Sequence, residues 1–289
     1  MTADPPGTGS TTRRIMLGAQ LRKLREGRNI TRAEAGFSIR ASESKISRLE
    51  LGRVGFKERD VADLLTLYGV DDLAERTALL LLAEQANTPG WWHAFSEVLP
   101  SWFQTYVGLE EAASLIRTYE LQFVPGLLQT TDYARAVIRA GNARAPDVEI
   151  DQRVGLRLRR QEKLLAADGP HVWAVVDEAV LRRPIGTPEA HRGQLEHLIA
   201  LSKETPTVTL QVVPFSAGAH AAEGGAFSLL RFPQSDLPDI AYVETLTGGV
   251  YVEKREDVDT YLHAMERLCV VSATPDETVE LIEDILRGI

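Results

Sequence analysis

Apolar positions in the first third of the chain recur three and four residues apart, the period of helices packed on one side. Leu17, Leu21 and Leu24 predict a first helix over about Leu17 to Arg25. Arg32 to Phe37 predicts a short second helix that breaks at Ile39-Arg40-Ala41. A third should run from Ser42 through Leu51. Ser42 suits its start, because the hydroxyl can accept from an orphan N–H, and Gly52 suits its stop, because glycine turns left-handed without strain. Ile46 and Leu49 share one face of it, and Glu43, Ser44, Lys45 and Arg48 fall on the others. Lys57 to Tyr68 predicts a fourth helix with Val61, Leu64, Leu65 and Tyr68 inward, and Asp71 to Ala86 a fifth. The run Leu79-Leu80-Leu81-Leu82 covers every side of that fifth helix, which predicts burial all round, between domains or in a dimer contact.

Asn87-Thr88-Pro89-Gly90 interrupts the pattern and predicts a linker over residues 87–90. Beyond it, helical periods cover Thr131 to Ala140, Val148 to Leu165, Pro188 to Leu201, Asp257 to Cys269 and Pro275 to Leu286. From His171 the period shortens. HVWAVVDEAVL begins as a strand, TVTLQVVPF alternates its valines, and AFSLLRF, IAYVET and GVYVEK read as three more strands. Leu246-Thr247-Gly248-Gly249 signals a hairpin between the last two. The expected fold class is α+β: an all-α five-helix head over residues 15–86, then a larger body over residues 91–289 with a small, mainly antiparallel sheet. Residues 1–14, MTADPPGTGSTTRR, predict a disordered arm.

Composition narrows the class. At 289 residues, with 44% hydrophobic and 25% charged residues, this is an ordinary globular composition with room for two domains. No window approaches a membrane span and the N-terminus lacks an apolar signal core. The lone Cys269 excludes an internal disulfide, so a cytoplasmic location is expected. The net charge of −9 is unevenly spread. Residues 1–60 hold 13 Lys/Arg against 7 Asp/Glu, and the rest of the chain 19 against 34. A basic head on an acidic body fits local contact with phosphate. A helix with an anchored apolar edge and a Ser/Glu/Lys/Arg outer face suits the major groove of double-stranded DNA.

The stretches LGAQLRKLREGRNIT, SESKISRLELGR and FKERDVADLLTLYGV, within Met16 to Val70, resemble the Cro/CI-type helix-turn-helix domain of phage repressors and bacterial XRE-type regulators. The resemblance implies a structural ion pair between Arg25 and Glu50. It implies DNA contacts by Arg32 and Ser42 at phosphate, by Glu43, Ser44 and Lys45 at base edges, by Arg48 at either, and by Arg53 and Lys57 at the backbone. The chain departs from the family pattern at Ala35-Gly36 in the second helix and at Arg40 in the turn, which predicts a loosened second helix and a strained turn residue. A second resemblance rests on YELQFVPGLLQTTDYARAV, VVDEAVLRRPIG, VTLQVVPFSAGAHAAEGGAFSLLRF and AYVETLTGGVYVE. These are similar to the C-terminal domain of unknown function in Scr-type, antitoxin-like regulators. That resemblance implies a small protein partner encoded nearby and brings no catalytic residues.

Residue chemistry elsewhere is sparse. None of His93, His171, His191, His197, His220 and His263 stands in an HExxH pattern, and one cysteine makes no CxxC, so no metal, cofactor or catalytic site is expected. Asp177-Glu178 reads as a solvated strand end, the arginines from Arg153 to Arg160 as a solvated face, and Ser216 to Gly225 as a flexible loop. Trp91, Trp92, Trp102, Phe103 and Tyr106 either pack a core or line a ligand pocket. The expected function is a sequence-specific transcriptional regulator, not an enzyme. It would act as a homodimer, with a body that senses a small-molecule effector or a protein partner. The alternative is an antitoxin-like interaction protein that binds a small cognate partner and autoregulates.

Overall fold

The computed structural model describes residues 10–164, 166, 169–234 and 237–289. They fall into two compact units. The first comprises the described residues through Ala94 together with Gln104–Ala112; the second comprises Phe95–Phe103 and most of the chain from Ala113 onward.

The first unit is helical. Its elements are α1 (Ser10–Gly27), α2 (Arg32–Ser38), α3 (Glu43–Glu50), α4 (Glu58–Leu67) and α5 (Leu73–Ala86), followed by all but the first turn of α6 (Ser101–Ala112). Leu17, Leu21, Ile46, Leu49, Leu64, Leu65 and Tyr68 are its deepest core residues. The predicted helix spacings brought these same side chains inward. Three expectations change. Residues 10–14 open α1 and do not belong to an arm, since Ser10, Thr11 and Thr12 are buried and Thr11 lies against Gly108 of α6; residues 1–9 lie outside the described residues. The four-leucine run is not buried all round either: Leu79 is buried, whereas Leu81 is 52% and Leu73 78% exposed. Asn87, expected in a linker, clamps Phe56 instead, accepting from its N–H at 2.9 Å and donating to its carbonyl at 2.5 Å.

The second unit is α+β around one six-stranded mixed sheet. Its strands are β1 (Leu115–Glu120), β2 (His171–Asp177), β3 (Val208–Val213), β4 (Phe227–Arg231), β5 (Ile240–Thr245) and β6 (Gly248–Val252), in the order β3-β2-β1-β4-β5-β6. The β3-β2-β1 part is parallel, and β1-β4-β5-β6 is antiparallel. The helices are α7 (Thr131–Gly141), α8 (Asp147–Leu164), α9 (Glu178–Arg182), α10 (Pro188–Glu204), α11 (Arg255–Val271) and α12 (Pro275–Arg287). Crossovers through α7–α8 and through α9–α10 make the parallel pairs possible. β1 is central, and its sequence LIRTYE carries Arg, Thr and Glu among its apolar residues, so it does not read as a buried strand.

Side chains expected to be solvated are tied down here. Asp177 caps α9 by accepting from the N–H of Ala179 at 2.8 Å. Glu178 is buried, pairs with Arg182 at 2.6 Å and accepts from the N–H of Phe215 at 2.7 Å. The loop after β3 is anchored again where Tyr119 Oη meets His220 Nε2 at 3.1 Å. On α8, Arg153 and Arg159 pair with Glu149 and Glu162 as a solvated face would. Arg157 and Arg160 turn inward: Arg157 donates to Gln129 at 2.5 Å, and Arg160 is buried with its guanidinium 5.1 Å from the ring centre of Phe103. Of the aromatic cluster, Trp92 and Tyr106 are buried, and Trp91, Trp102 and Phe103 are half-buried.

Candidate nucleic-acid interface

The surface formed by α2, α3 and their connection is built from local signals. Thr31 and Glu34 make a reciprocal capping box: Thr31 Oγ1 accepts from the N–H of Glu34, and the Glu34 carboxylate accepts from the N–H of Thr31 at 2.7 Å. The Thr-x-x-Glu spacing that produces it is legible in the sequence. Gly36 does not loosen α2. A Cβ there would sit 2.7 Å from the carbonyl of Ala41, so the tight turn needs glycine at this point. Arg40 occupies the left-handed position of the turn at φ 53°. An L-residue pays for that conformation with about 1 kcal/mol.

α3 starts at the predicted cap, where Ser42 Oγ accepts from the N–H of Lys45 at 3.2 Å, and the chain turns away at Gly52, φ 64°. Ile46, Leu49 and Glu50 point inward. The Glu50 carboxylate holds two guanidiniums. Arg25 Nε donates at 2.5 Å and its Nη2 at 3.2 Å, and Arg32 Nε donates to the second oxygen at 3.0 Å. Arg25 also donates to the carbonyl of Ile30 at 2.8 Å, so α1, α2 and α3 are joined at one point. The hydrogen bond to Glu50 raises Arg25 above its ordinary value, and burial together with the Glu50 charge raises the Tyr68 phenol beside it.

The predicted contact residues divide into two groups. Ser42, Glu43, Ser44, Arg48 and Lys57 are exposed. Arg48 lies one turn after Ser44 and donates to its carbonyl at 3.3 Å. Arg32, Lys45 and Arg53 are half-buried. Arg32 is engaged by Glu50, and Lys45 Nζ lies 2.5 Å from Asp60 Oδ2 on α4. No spacing rule points to Asp60, because its contact joins residues fifteen positions apart. Phe37, 87% exposed beside the turn, is a second feature that polar patterning passes over. Together α3 presents hydroxyls, a carboxylate and guanidinium and ammonium groups on a short helix whose inner edge is fixed in three places.

This arrangement of α2, turn and capped α3 on a buried ion pair is a helix-turn-helix domain, a DNA-binding fold. A family model described as a helix-turn-helix domain matches residues 16–79. The chain as a whole belongs to the family described as domain of unknown function DUF5753, whose model matches residues 103–284. No curated protein and no solved structure was found to match it. No helix among the described residues is long and apolar enough to cross a membrane.

Proposed function

We propose that this chain is a sequence-specific transcriptional regulator of the Cro/CI-like XRE type, and not an enzyme. α3 enters the major groove of operator DNA with its N-terminal turn toward the bases. The observation that carries this reading is the outward face of α3, where Glu43, Ser44 and Arg48 stand exposed over an inner edge held by Ile46, Leu49 and the Arg25–Glu50–Arg32 cluster. Ser42 and Lys57, at the N-terminal ends of α3 and α4, meet phosphate. Lys45, aimed by Asp60, reads a base edge. One short helix covers few base pairs, so a homodimer on a two-fold site is part of the proposal. The second unit dimerises and receives the signal. An Scr-type, antitoxin-like role with a small protein partner rests on sequence resemblance alone.

Fluorescence anisotropy with DNA from the chain's own upstream region tests this, against scrambled DNA and across a salt series. Binding should fall steeply with salt, prefer the native fragment, and weaken in Arg48→Ala by about 1–3 kcal/mol. Equal affinity for both DNAs, unchanged by Arg48→Ala, would sink the proposal.

A further inference from the structure

Four helices of the first unit end in the same way. After α1, α2, α3 and α4 the chain turns through a left-handed residue, at Asn29 (φ 57°), Arg40 (φ 53°), Gly52 (φ 64°) and Gly69 (φ 68°). At the end of α2, Arg40 donates its N–H to the carbonyl of Phe37 at 3.1 Å, and Ala41 donates to the carbonyl of Gly36 at 2.8 Å. The same pair of bonds, three and five residues back, closes the other three helices. This double closure is the Schellman motif. Its left-handed position favours glycine, with asparagine next, because a larger side chain there crowds the backbone. Asn29, Gly52 and Gly69 follow that preference, and Arg40 is the exception.

Nothing inside the fold uses the exceptional side chain. Arg40 is exposed, and among the described residues no hydrogen bond, ion pair or ring contact reaches its guanidinium. By contrast, Arg25 and Arg32 are held by Glu50, and Arg28 by the carbonyl of Gly69. A conformation that costs an L-residue stability, kept for a side chain without a partner in the protein, points to a partner outside it. The place of Arg40 says which. It stands two residues before Ser42, the cap of α3, at the edge of the candidate interface. Two residues of chain span about 7 Å at most, and an arginine side chain reaches about as far, so a phosphate held at Ser42 lies beside its range. Close packing of Gly36 on the carbonyl of Ala41 fixes the backbone on which the side chain is carried. Arg40 lies outside α3, the element that faces the bases, and a guanidinium with all its donors open matches phosphate oxygens in a two-pronged fit.

With the first unit read as the DNA-binding head, on which the inference rests, we propose that Arg40 is a further DNA contact. Its guanidinium clamps a backbone phosphate next to the one met by Ser42, and so fixes the entry of α3 into the groove.

Fluorescence anisotropy of the full chain on the upstream duplex and on its scrambled counterpart, across a salt series, tests this with Arg40→Gly, Arg40→Asn and Arg40→Lys. Glycine and asparagine both suit the left-handed turn, as Gly52 and Asn29 show in this chain, so both variants should fold. Arg40→Gly should melt a few degrees above the parent. Both variants should bind each duplex about three- to tenfold more weakly, to the same extent on the two, and the salt dependence should become shallower by about one unit of slope. Arg40→Lys should keep the slope. Salt-dependent binding by the parent that Arg40→Gly and Arg40→Asn leave unchanged would overturn the contact and leave the DNA-binding reading standing. Absence of DNA binding by the parent would remove both. A loss in Arg40→Gly that Arg40→Asn does not share would assign the effect to a looser turn, and a loss confined to the upstream duplex would assign it to base reading; either result overturns the phosphate contact. So does a melting temperature below that of the parent in both variants, which would make Arg40 a structural residue.

Discussion

Glu50 and Glu120 are both carboxylates withdrawn from water, and the chain treats them in opposite ways. Glu50, in the first unit, receives two guanidiniums and joins three helices. Glu120, in the second, receives no hydrogen bond and stands in the field of another carboxyl. A buried charge costs several kcal/mol to desolvate, and partners offset that cost only when the geometry is good. The first carboxylate is a structural joint: its value lies in being fully matched. Among the described residues the second receives no hydrogen bond, and desolvation with the charge of Glu244 outweighs the pull of Arg157, so it is pushed up to about 8.

Removing a partner from the matched carboxylate should have the largest effect. Arg25→Ala leaves Glu50 with Arg32 alone and takes a donor from the carbonyl of Ile30. The expected loss is about 3–5 kcal/mol, seen in calorimetry as early melting of the first unit. Loss of DNA binding should follow from unfolding and not from altered sequence choice. Melting within 1 °C of the parent would show that Glu50 is not the joint described.

Glu120 supplies the opposite test. Its folded value, about 8, lies above the ordinary carboxylate value of 4.5. The protonated form therefore contributes stability that is complete below about pH 4.5 and is lost as pH rises through about 8. Glu120→Gln cannot ionise. Its advantage over the parent should grow with pH across that window and reach about 2–4 kcal/mol near pH 9, since each pH unit between the two values is worth about 1.4 kcal/mol. Thermal unfolding from pH 5 to 9 reads this directly; parallel curves for the two proteins would mean that solvent solvates Glu120 freely.

Arg32→Ala should fall below both. Arg32 is one-third exposed and gives Glu50 one hydrogen bond at 3.0 Å, whereas Arg25 gives two and is buried. The loss should be about 1–2 kcal/mol in stability. A loss as large as that of Arg25→Ala would mean that the two arginines share the charge equally. An additional drop in DNA affinity at temperatures where the variant is folded would give Arg32 a phosphate contact besides its structural one.

Legibility differs between the two units for a physical reason. In the first, the signals are local. Ser42, Gly52 and the Ile46/Leu49 spacing set α3, and its bounds agree with expectation to within a residue. Gly36 and Arg40 stand out in the sequence as irregularities, but their meaning does not, because only the folded turn brings the carbonyl of Ala41 against Gly36. The same holds for Asp60, whose contact with Lys45 crosses from one helix to another. In the second unit, β2 to β6 follow from valine-rich or alternating runs. β1 is not legible as a strand, because its polar residues fall on both faces, Arg117 over the Trp173 ring and Thr118 beside Ser228 on the other side, so its pattern does not alternate. Arg157 and Arg160 mislead for a related reason: a charged helix face reads as solvated until the fold brings Gln129 and Phe103 against it.

The smallest effect concerns a third carboxylate, Asp60, which lies between the two extremes. Lys45 is 31% exposed and its partner Asp60 14%, at 2.5 Å. A pair so near solvent contributes under about 1 kcal/mol to stability, so Asp60→Asn should fold normally. Its effect on DNA separates two uses of Lys45. If Asp60 aims the ammonium at a base edge, Asp60→Asn weakens binding to the specific site and leaves random DNA nearly unchanged. If Lys45 contacts phosphate, removing the competing carboxylate strengthens binding to all DNA and makes the salt dependence steeper by up to about one unit of slope. The short contact and the half-buried place of Lys45 favour the first outcome. Anisotropy titrations on specific and scrambled duplexes, at two salt concentrations, decide between them.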